Sequence, residues 1–395
     1  MRIAVFVKAT TLHKVHGGLE TQNKALCEGF VRNGHRVVVF SPKRELTVER
    51  AEQNGVEYVF VDCTFRYLFS KLDKKNWYNK SFDAFLKQHN SEPFELAISQ
   101  SSAGVGIIER KNDVPVKVIS ISHGTTIAEI QTALNNIYDL KSLFLFLKNL
   151  QFVLRQFFGR QRDYILHSDH IVAVSNAVKQ QIIDETFVPE ERVSVIHNGI
   201  SLKETQHISE RTKTKFSMLF VGQILREKGV DYLIDLFEDS RFLNSQVDVV
   251  GGGAYLEEFR KKVQEKKLED KIKIIGKVSH DRLAEIYDIN IYDVFVFPTR
   301  RIEGFPMVLV EAMYGGLPVV GFNLGGVSDA VIDEETGYLI PFADFKLFKD
   351  KLKYLMDNPE QVIKLGQAAK TKAQNEFSQD RMIEQYESLI RKIVR

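Results

Sequence analysis

Short runs of apolar, β-branched residues recur along the chain, each followed by a longer stretch in which apolar positions return every three or four residues. That alternation predicts βαβ units built around a parallel sheet, and it occurs in two sets. The first set places strands at Ile3–Val7, Arg36–Phe40, Tyr58–Val61, Leu96–Ser99, Val116–Ile121, Ile171–Val174 and Val193–Ile196. The second places them at Met218–Val221, Val247–Val250, Ile272–Ile275, Val294–Phe297 and Val319–Gly321. Between the sets, from Asn198-Gly199-Ile200 to about Lys215, the chain is polar and aperiodic, as expected of a hinge. A last amphipathic stretch, Phe377–Arg395, spaces Met382, Ile383, Tyr386, Leu389, Ile390 and Ile393 along one helix face. The expected organisation is a first domain over 1–198, a linker over 199–215, a second domain over 216–376 and a terminal helix over 377–395. The pattern leaves open whether that helix packs back on the first domain.

The 395 residues suit two domains better than one core. Lys and Arg exceed Asp and Glu by only 54 − 52 = 2, so bulk charge gives no support for a nucleic-acid partner. Cys27 and Cys63 cannot make a disulfide framework, which favours a reducing, cytoplasmic location. The apolar run at the start is shorter than the hydrophobic region of a signal peptide and is predicted as a strand. No stretch of 18 uninterrupted apolar residues occurs, so any membrane contact is expected to be peripheral, on the inner face.

Candidate chemistry gathers after strand Val294–Phe297, where Pro298-Thr299 leads into Glu303-Gly304-Phe305-Pro306-Met307-Val308-Leu309-Val310-Glu311-Ala312-Met313. Pro306 suits the first turn of a helix, because its missing N–H is not needed there. The amides of residues 305–309 would then face an anion, aided by the helix dipole. Glu303 precedes the helix and Glu311 lies inside it. Two readings stand for these acids. They accept hydrogen bonds from ligand hydroxyls, such as those of a sugar and a ribose, or the first satisfies the dipole and the second is solvated.

The Glu303 to Glu311 spacing, with Gly304-Phe305-Pro306 and Ala312-Met313 around it, resembles the signature of the retaining glycosyltransferases of family GT4. Those enzymes have the GT-B fold, two Rossmann-like doubly wound α/β domains facing a cleft. The resemblance implies that Glu303 contacts the donor sugar and Glu311 the ribose hydroxyls, with Gly304, Phe305, Pro306 and Met307 lining the donor.

A second cluster, Phe220-Val221-Gly222-Gln223-Ile224-Leu225-Arg226-Glu227-Lys228-Gly229, follows the first strand of the second set. Gly222 at a strand end lets a ligand approach the backbone, and Arg226 and Lys228 would supply cations near a helix start at about Gly229. The alternative is a pair of surface cations on a loop. The family pairs a basic residue with a lysine in this turn, which implies a role for Lys228 on the donor diphosphate. Many members carry Arg directly after the glycine, where this chain has Gln223, leaving open whether Arg226 substitutes for it.

In the first half, His16-Gly17-Gly18-Leu19-Glu20 opens a helical pattern, and a Gly pair before a helix lets amides crowd an anion. The spacing is not the G-x-G-x-x-G of a dinucleotide fold. By resemblance, Gly17 and Gly18 touch the donor phosphate; the alternative is a tight βα turn. His123, in Ser122-His123-Gly124 after a strand, is implied by the same resemblance to lie near the reacting sugar, although a lone His there is commonly a loop hydrogen-bonder. Asn198-Gly199 suits a hinge turn. Gly251-Gly252-Gly253 lines the nucleotide cleft through Gly252 or is a plain turn.

No Asp-x-Asp occurs, so no metal is expected, and His13 and His16 are taken as loop residues. In Asp139–Asp163, Lys141, Lys148, Arg155 and Arg162 repeat every seven residues beside Leu143-Phe144-Leu145-Phe146-Leu147. A basic stripe beside an apolar face suits an anionic membrane surface, or a core helix with one wet face.

The resemblance thus implies a metal-independent retaining glycosyltransferase that uses a nucleotide-diphosphate sugar as co-substrate and no further cofactor. Its acceptor would be a glycan or lipid-linked sugar entering through the first domain, in polysaccharide or glycolipid synthesis. The rivals are a nucleotide-sugar 2-epimerase of the same fold and a non-catalytic sugar-nucleotide-binding protein.

Overall fold

The computed structural model describes residues 1–14, 17–65, 73–137, 140, 142–144, 146–147, 160–200, 215–278, 280–288 and 290–394. His16, most of the expected linker, and Lys141, Lys148 and Arg155 lie outside the described residues. The chain forms two compact units, one made of Met1–Ile127, Lys148–Gly199 and Gln379–Arg395, the other of Ala128–Leu147 and Ile200–Ser378. Ala128–Leu147 therefore groups with the second unit, whereas the sequence pattern places it inside the first domain.

The first unit holds an eight-stranded sheet of β1 (Arg2–Phe6), β2 (Arg36–Pro42), β3 (Arg50–Gln53), β4 (Val56–Val61), β5 (Leu96–Gln100), β6 (Lys117–Ser122), β7 (His170–Ala173) and β8 (Val193–Val195), ordered β3-β4-β2-β1-β5-β6-β7-β8. All neighbours pair in parallel except β3 with β4. β3 escapes the sequence pattern because Arg50-Ala51-Glu52-Gln53 has no apolar run. It is an edge strand whose charged side chains discourage further pairing.

Helix Gly18–Arg32 begins where the Glu20 carboxylate accepts from the Gly17 amide at 2.8 Å. It stops at Gly34, whose φ of 84° turns the chain while the amide of His35 reaches back to the Phe30 carbonyl. Its buried face carries Leu26, Cys27 and Phe30. The terminal helix, Gln379–Ile393, packs on this first-unit helix. Gly29 makes room, since a Cβ there would sit 2.2 Å from Ile383 Cδ1. Phe30 and Tyr386 meet edge to face, His35 Nε2 lies 2.7 Å from Glu387 Oε1, and Gln379 Nε2 donates to the Ala25 carbonyl at 2.6 Å.

The second unit holds a wholly parallel sheet of β9 (Phe216–Val221), β10 (Ser245–Val250), β11 (Ile272–Gly276), β12 (Val294–Phe297), β13 (Val319–Phe322) and β14 (Gly337–Ile340), ordered β11-β10-β9-β12-β13-β14. Met218, Phe220, Val247, Val249, Val294, Val296, Val320 and Phe322 fill its core together with Phe259, Phe348 and Leu352. β14, which the sequence pattern misses, opens on Gly337, where a Cβ would approach the Val319 carbonyl oxygen to 2.1 Å. Each unit is a doubly wound α/β sheet, as the alternating pattern predicts. The strand order reverses between β9 and β12 in one and between β1 and β5 in the other, and the carboxyl edge at such a switch point is where open α/β sheets take ligands.

Candidate functional site

In the second unit both loops at the switch point carry predicted site residues. After β9, residues Arg226–Lys228 form a single 3₁₀ turn closed by Gly229 in the left-handed region, and the next helix begins at Asp231, two residues later than the sequence suggests. Only glycine fits at 229: φ is 72° and a Cβ would lie 1.7 Å from the Pro298 carbonyl oxygen. The β9 loop is thereby pressed onto the end of β12. The Glu227 carbonyl accepts from the Arg300 amide at 2.8 Å, and the Glu227 carboxylate pairs with Arg301 Nη1 at 2.7 Å. Arg301 also pairs with Glu129, and Thr132 Oγ1 accepts from the Ile302 amide at 2.9 Å.

This zipped pair of loops sets Lys228 Nζ 2.6 Å from Glu303 Oε1, with side-chain exposures of only 20% and 11%. Thr299 Oγ1, buried at the end of β12, lies 3.3 Å from the same carboxylate oxygen. Glu303 is fixed by its own backbone as well, because its carbonyl accepts from the Gly326 amide at 2.7 Å.

The helix expected from Pro306 begins one residue later, at Met307; Pro306 itself is the N-cap with φ −78° and ψ 103°. Of the amides expected to face a ligand, that of Leu309 is occupied by the Pro306 carbonyl at 3.0 Å, leaving Met307 and Val308 at the open first turn. Phe305 is buried against Phe377, while Gly304 and Met307 remain part-exposed. Glu311 is buried rather than solvated. It is 8% exposed and accepts from the Tyr287 hydroxyl at 2.9 Å. Burial pushes its carboxyl up to about 7, against the smaller opposing effect of the Tyr287 hydrogen bond. A buried carboxylate with one protein donor keeps acceptor capacity for hydroxyls.

The remaining predicted residues of this unit divide. Arg226 is engaged by Glu258 and lies over the Tyr255 ring, 4.7 Å from its centroid, so it is not gathered with Lys228 and Glu303. Gln223 is exposed. Gly222 and Gly252 bind their two loops to one another: the Gly222 amide donates to Val250, and the Ile224 amide to the Gly252 carbonyl at 3.0 Å. Gly251, at φ 141°, permits this approach, since a Cβ there would meet the Gly222 carbonyl oxygen at 1.8 Å.

In the first unit, Gly17 caps its helix in extended backbone. Gly18 is exposed, and a Cβ added there would meet nothing within 4 Å, so space rather than packing surrounds it. His123 Nε2 lies 2.7 Å from Gln100 Oε1, and Gln100 Nε2 donates to Asn23 Oδ1 at 2.9 Å. With the amide assigned this way, His123 carries its proton on Nε2 and offers Nδ1 as an acceptor. Burial lowers its pKa to about 4, which keeps the ring neutral at physiological pH. His13 is structural: its ring is held by Thr10 and by the Pro42 carbonyl. Arg162 donates to the Glu185 carbonyl at 3.0 Å.

Sequence reasoning missed Tyr287, Thr299, Arg301, Gln100 and Asn23. Thr299 carried a signal, standing directly at the end of a predicted strand. Tyr287 carried none, since only the fold brings it to Glu311. Among the described residues no group of three His, Cys, Asp or Glu side chains is placed to hold a metal ion, and no helix is long and apolar enough to cross a membrane.

Residues 16–204 match the family model for Glycosyltransferase Family 4, and residues 203–372 that for Glycosyl transferases group 1. A capsular polysaccharide biosynthesis glycosyltransferase of Staphylococcus aureus is 28% identical over 238 residues, 55% of this chain and 60% of its own length. An uncharacterized glycosyltransferase of Methanocaldococcus jannaschii is 33% identical over 204 residues, 52% of this chain and 54% of its own length. The matches thus span little more than half of these curated relatives. Sucrose-phosphate synthase from Thermosynechococcus elongatus has the same fold, with a TM-score of 0.80 at 20% identity over 99% of this chain and 98% of that one. Anabaena HepE in complex with UDP gives a TM-score of 0.72 at 16% identity over 99% and 100%. With two successive family models covering the chain from residue 16 to residue 372 and a GT-B fold in its neighbours, the chain belongs to glycosyltransferase family 4.

Proposed function

We propose that the chain moves a sugar from a nucleotide-diphosphate sugar to an acceptor hydroxyl, with retention at the anomeric carbon, in the synthesis of a polysaccharide or glycolipid. The observation that carries this reading is the juxtaposition of Lys228 with Glu303 at the carboxyl edge of the second unit's sheet, on the loop that leads into the helix of Glu311. Lys228 and the open amides of Met307 and Val308 suit the diphosphate; Glu303 suits sugar hydroxyls and Glu311 the ribose. The bond from the anomeric carbon to the phosphate oxygen breaks, the acceptor oxygen bonds to that carbon on the same face, and the acceptor proton passes to the departing phosphate. Neutral His123 would accept from a sugar hydroxyl through Nδ1. The relatives lend support in their own terms: one is described as acting in capsular polysaccharide biosynthesis, and HepE was solved with UDP and with UDP-glucose.

A thermal-shift panel of UDP, GDP, ADP and their sugars tests the reading. A bound nucleotide at 100 times its dissociation constant stabilises by about 2.7 kcal/mol. No shift with any of them would remove the donor site. A product assay with and without acceptor separates transfer from 2-epimerisation, which would release free sugar unaided, and from mere binding, which would consume no donor.

Contact with an anionic membrane surface is part of the same proposal. Leu140 is 86% exposed and Phe144 71%, in the segment that carries the basic residues Lys141 and Lys148. Co-sedimentation with anionic vesicles at low salt, reduced by replacing Lys148 and Arg155, is the expected result.

A further inference from the structure

The carboxyl edge of the first unit's sheet carries a cation that the reading above does not use. Lys8 follows β1, and Ser102 follows β5, the strand beside it at the switch point. Lys8 Nζ donates to Ser102 Oγ at 2.7 Å, and Ser102 is fully buried. An ammonium has three donors, and this hydroxyl takes one. Among the described residues, no carboxylate stands within ion-pair distance of Lys8. The charged side chain acting on it is another cation, Arg44. Burial, with Arg44 adding to it, lowers the Lys8 ammonium to about 8.

A part-buried cation without an acid, beside a second cation, is an unfavourable arrangement in the empty protein. A packing role does not call for it, since an uncharged side chain would fill the same space at no electrostatic cost. Arg44 is exposed on the loop after β2, held in the left-handed region at φ 45°, with its guanidinium 5.6 Å from the Phe65 ring centroid. The neighbouring Glu45 carboxylate accepts from the Lys14 amide at 2.8 Å and also feels the Arg44 charge. Lys8 therefore keeps donors for an incoming anion, with the exposed Arg44 guanidinium acting in the same field.

We infer that Lys8, assisted by Arg44, holds an anionic group, phosphate or carboxylate, on the acceptor. The inference rests on the glycosyltransferase reading and narrows its acceptor class: the hydroxyl that receives the sugar belongs to a molecule with a negative charge close to it. Lys8 is a specificity-determining residue in this scheme and takes no proton.

The test uses the full chain with its donor pocket saturated by whichever nucleoside diphosphate binds. Inorganic phosphate, malonate and neutral glycerol are titrated calorimetrically at constant ionic strength. Phosphate or malonate is expected to bind and glycerol not to, and the preferred anion identifies a phosphorylated or a carboxylic acceptor. Lys8→Met should weaken that anion at least tenfold, Lys8→Arg less, and Arg44→Gln several-fold, with nucleotide affinity within twofold of the parent chain throughout. Binding of neither anion to the parent chain, or unaltered binding in Lys8→Met, overturns the inference. So does loss of nucleotide affinity in Lys8→Met, which would assign Lys8 to the donor. Should Lys8→Met fail to fold, Lys8→Arg and Arg44→Gln decide, and unaltered anion binding in both counts against it. Failure of every nucleotide to bind the parent chain is a different result and strikes the functional reading itself.

Discussion

Lys228 and Glu303 neutralise one another across 2.6 Å, although they come from loops after different strands. Neither charge is stranded while the pocket is empty, and an arriving diphosphate can recruit Lys228 while sugar hydroxyls satisfy Glu303. Lys228→Ala should lower kcat/KM at least tenfold, as expected for a lost charged hydrogen bond. It also strands Glu303, so the Lys228→Ala, Glu303→Gln double variant should lose less than the two single losses combined. Steady-state kinetics on all four proteins measure the coupling, and strict additivity would separate the two roles.

The buried carboxyl of Glu311 makes stability fall with rising pH. Its folded pKa of about 7 exceeds the ordinary 4.5, so the folded chain holds a proton that the unfolded chain releases across that interval. The disadvantage is absent below pH 4.5 and complete above 7, where it reaches about 3 kcal/mol. Glu311→Gln should therefore melt higher than the parent chain at pH 8, match it near pH 4.5, and bind nucleotide at least tenfold more weakly. Thermal melts across that range check the sign.

His123 acts in the opposite direction. Its folded pKa of about 4 lies below the ordinary 6.5, so stability is lost as pH falls through that window. His123→Asn should flatten the acid limb of the melting profile. It should also reduce kcat, and an unaltered kcat would remove His123 from the reaction centre.

Gly325 stands at φ 60°, and a Cβ there would come within 2.2 Å of the Glu303 carbonyl oxygen. Gly325→Ala should displace Glu303 and lower turnover at least tenfold while the second unit still folds. Gly18→Ala, which adds a methyl to open space, should leave the melting temperature unchanged.

Lys228 and the first-turn amides would stabilise the leaving diphosphate directly, so EDTA should leave transfer intact. Activity abolished by EDTA and restored by Mg²⁺ would assign that charge to a metal.

The two sheets were legible because fully buried parallel strands are read from short apolar runs, and the loop positions of Lys228 and Glu303 because each follows a strand so read. What stayed hidden depends on contacts remote in sequence. Tyr287 reaches Glu311 from 24 residues away. The Glu258 carboxylate and the Tyr255 ring that engage Arg226 likewise come from the loop and helix after β10. Edge strand Arg50–Gln53 offered no run to detect.

The docking of Gln379–Ile393 on the helix Gly18–Arg32 sets an order on biosynthesis. A ribosome must translate the whole of the second unit before the segment that covers Phe30 and fits beside Gly29 exists. A helix that emerges before the second unit is thus completed only after it, and until then it exposes a greasy flank that chaperones would recognise.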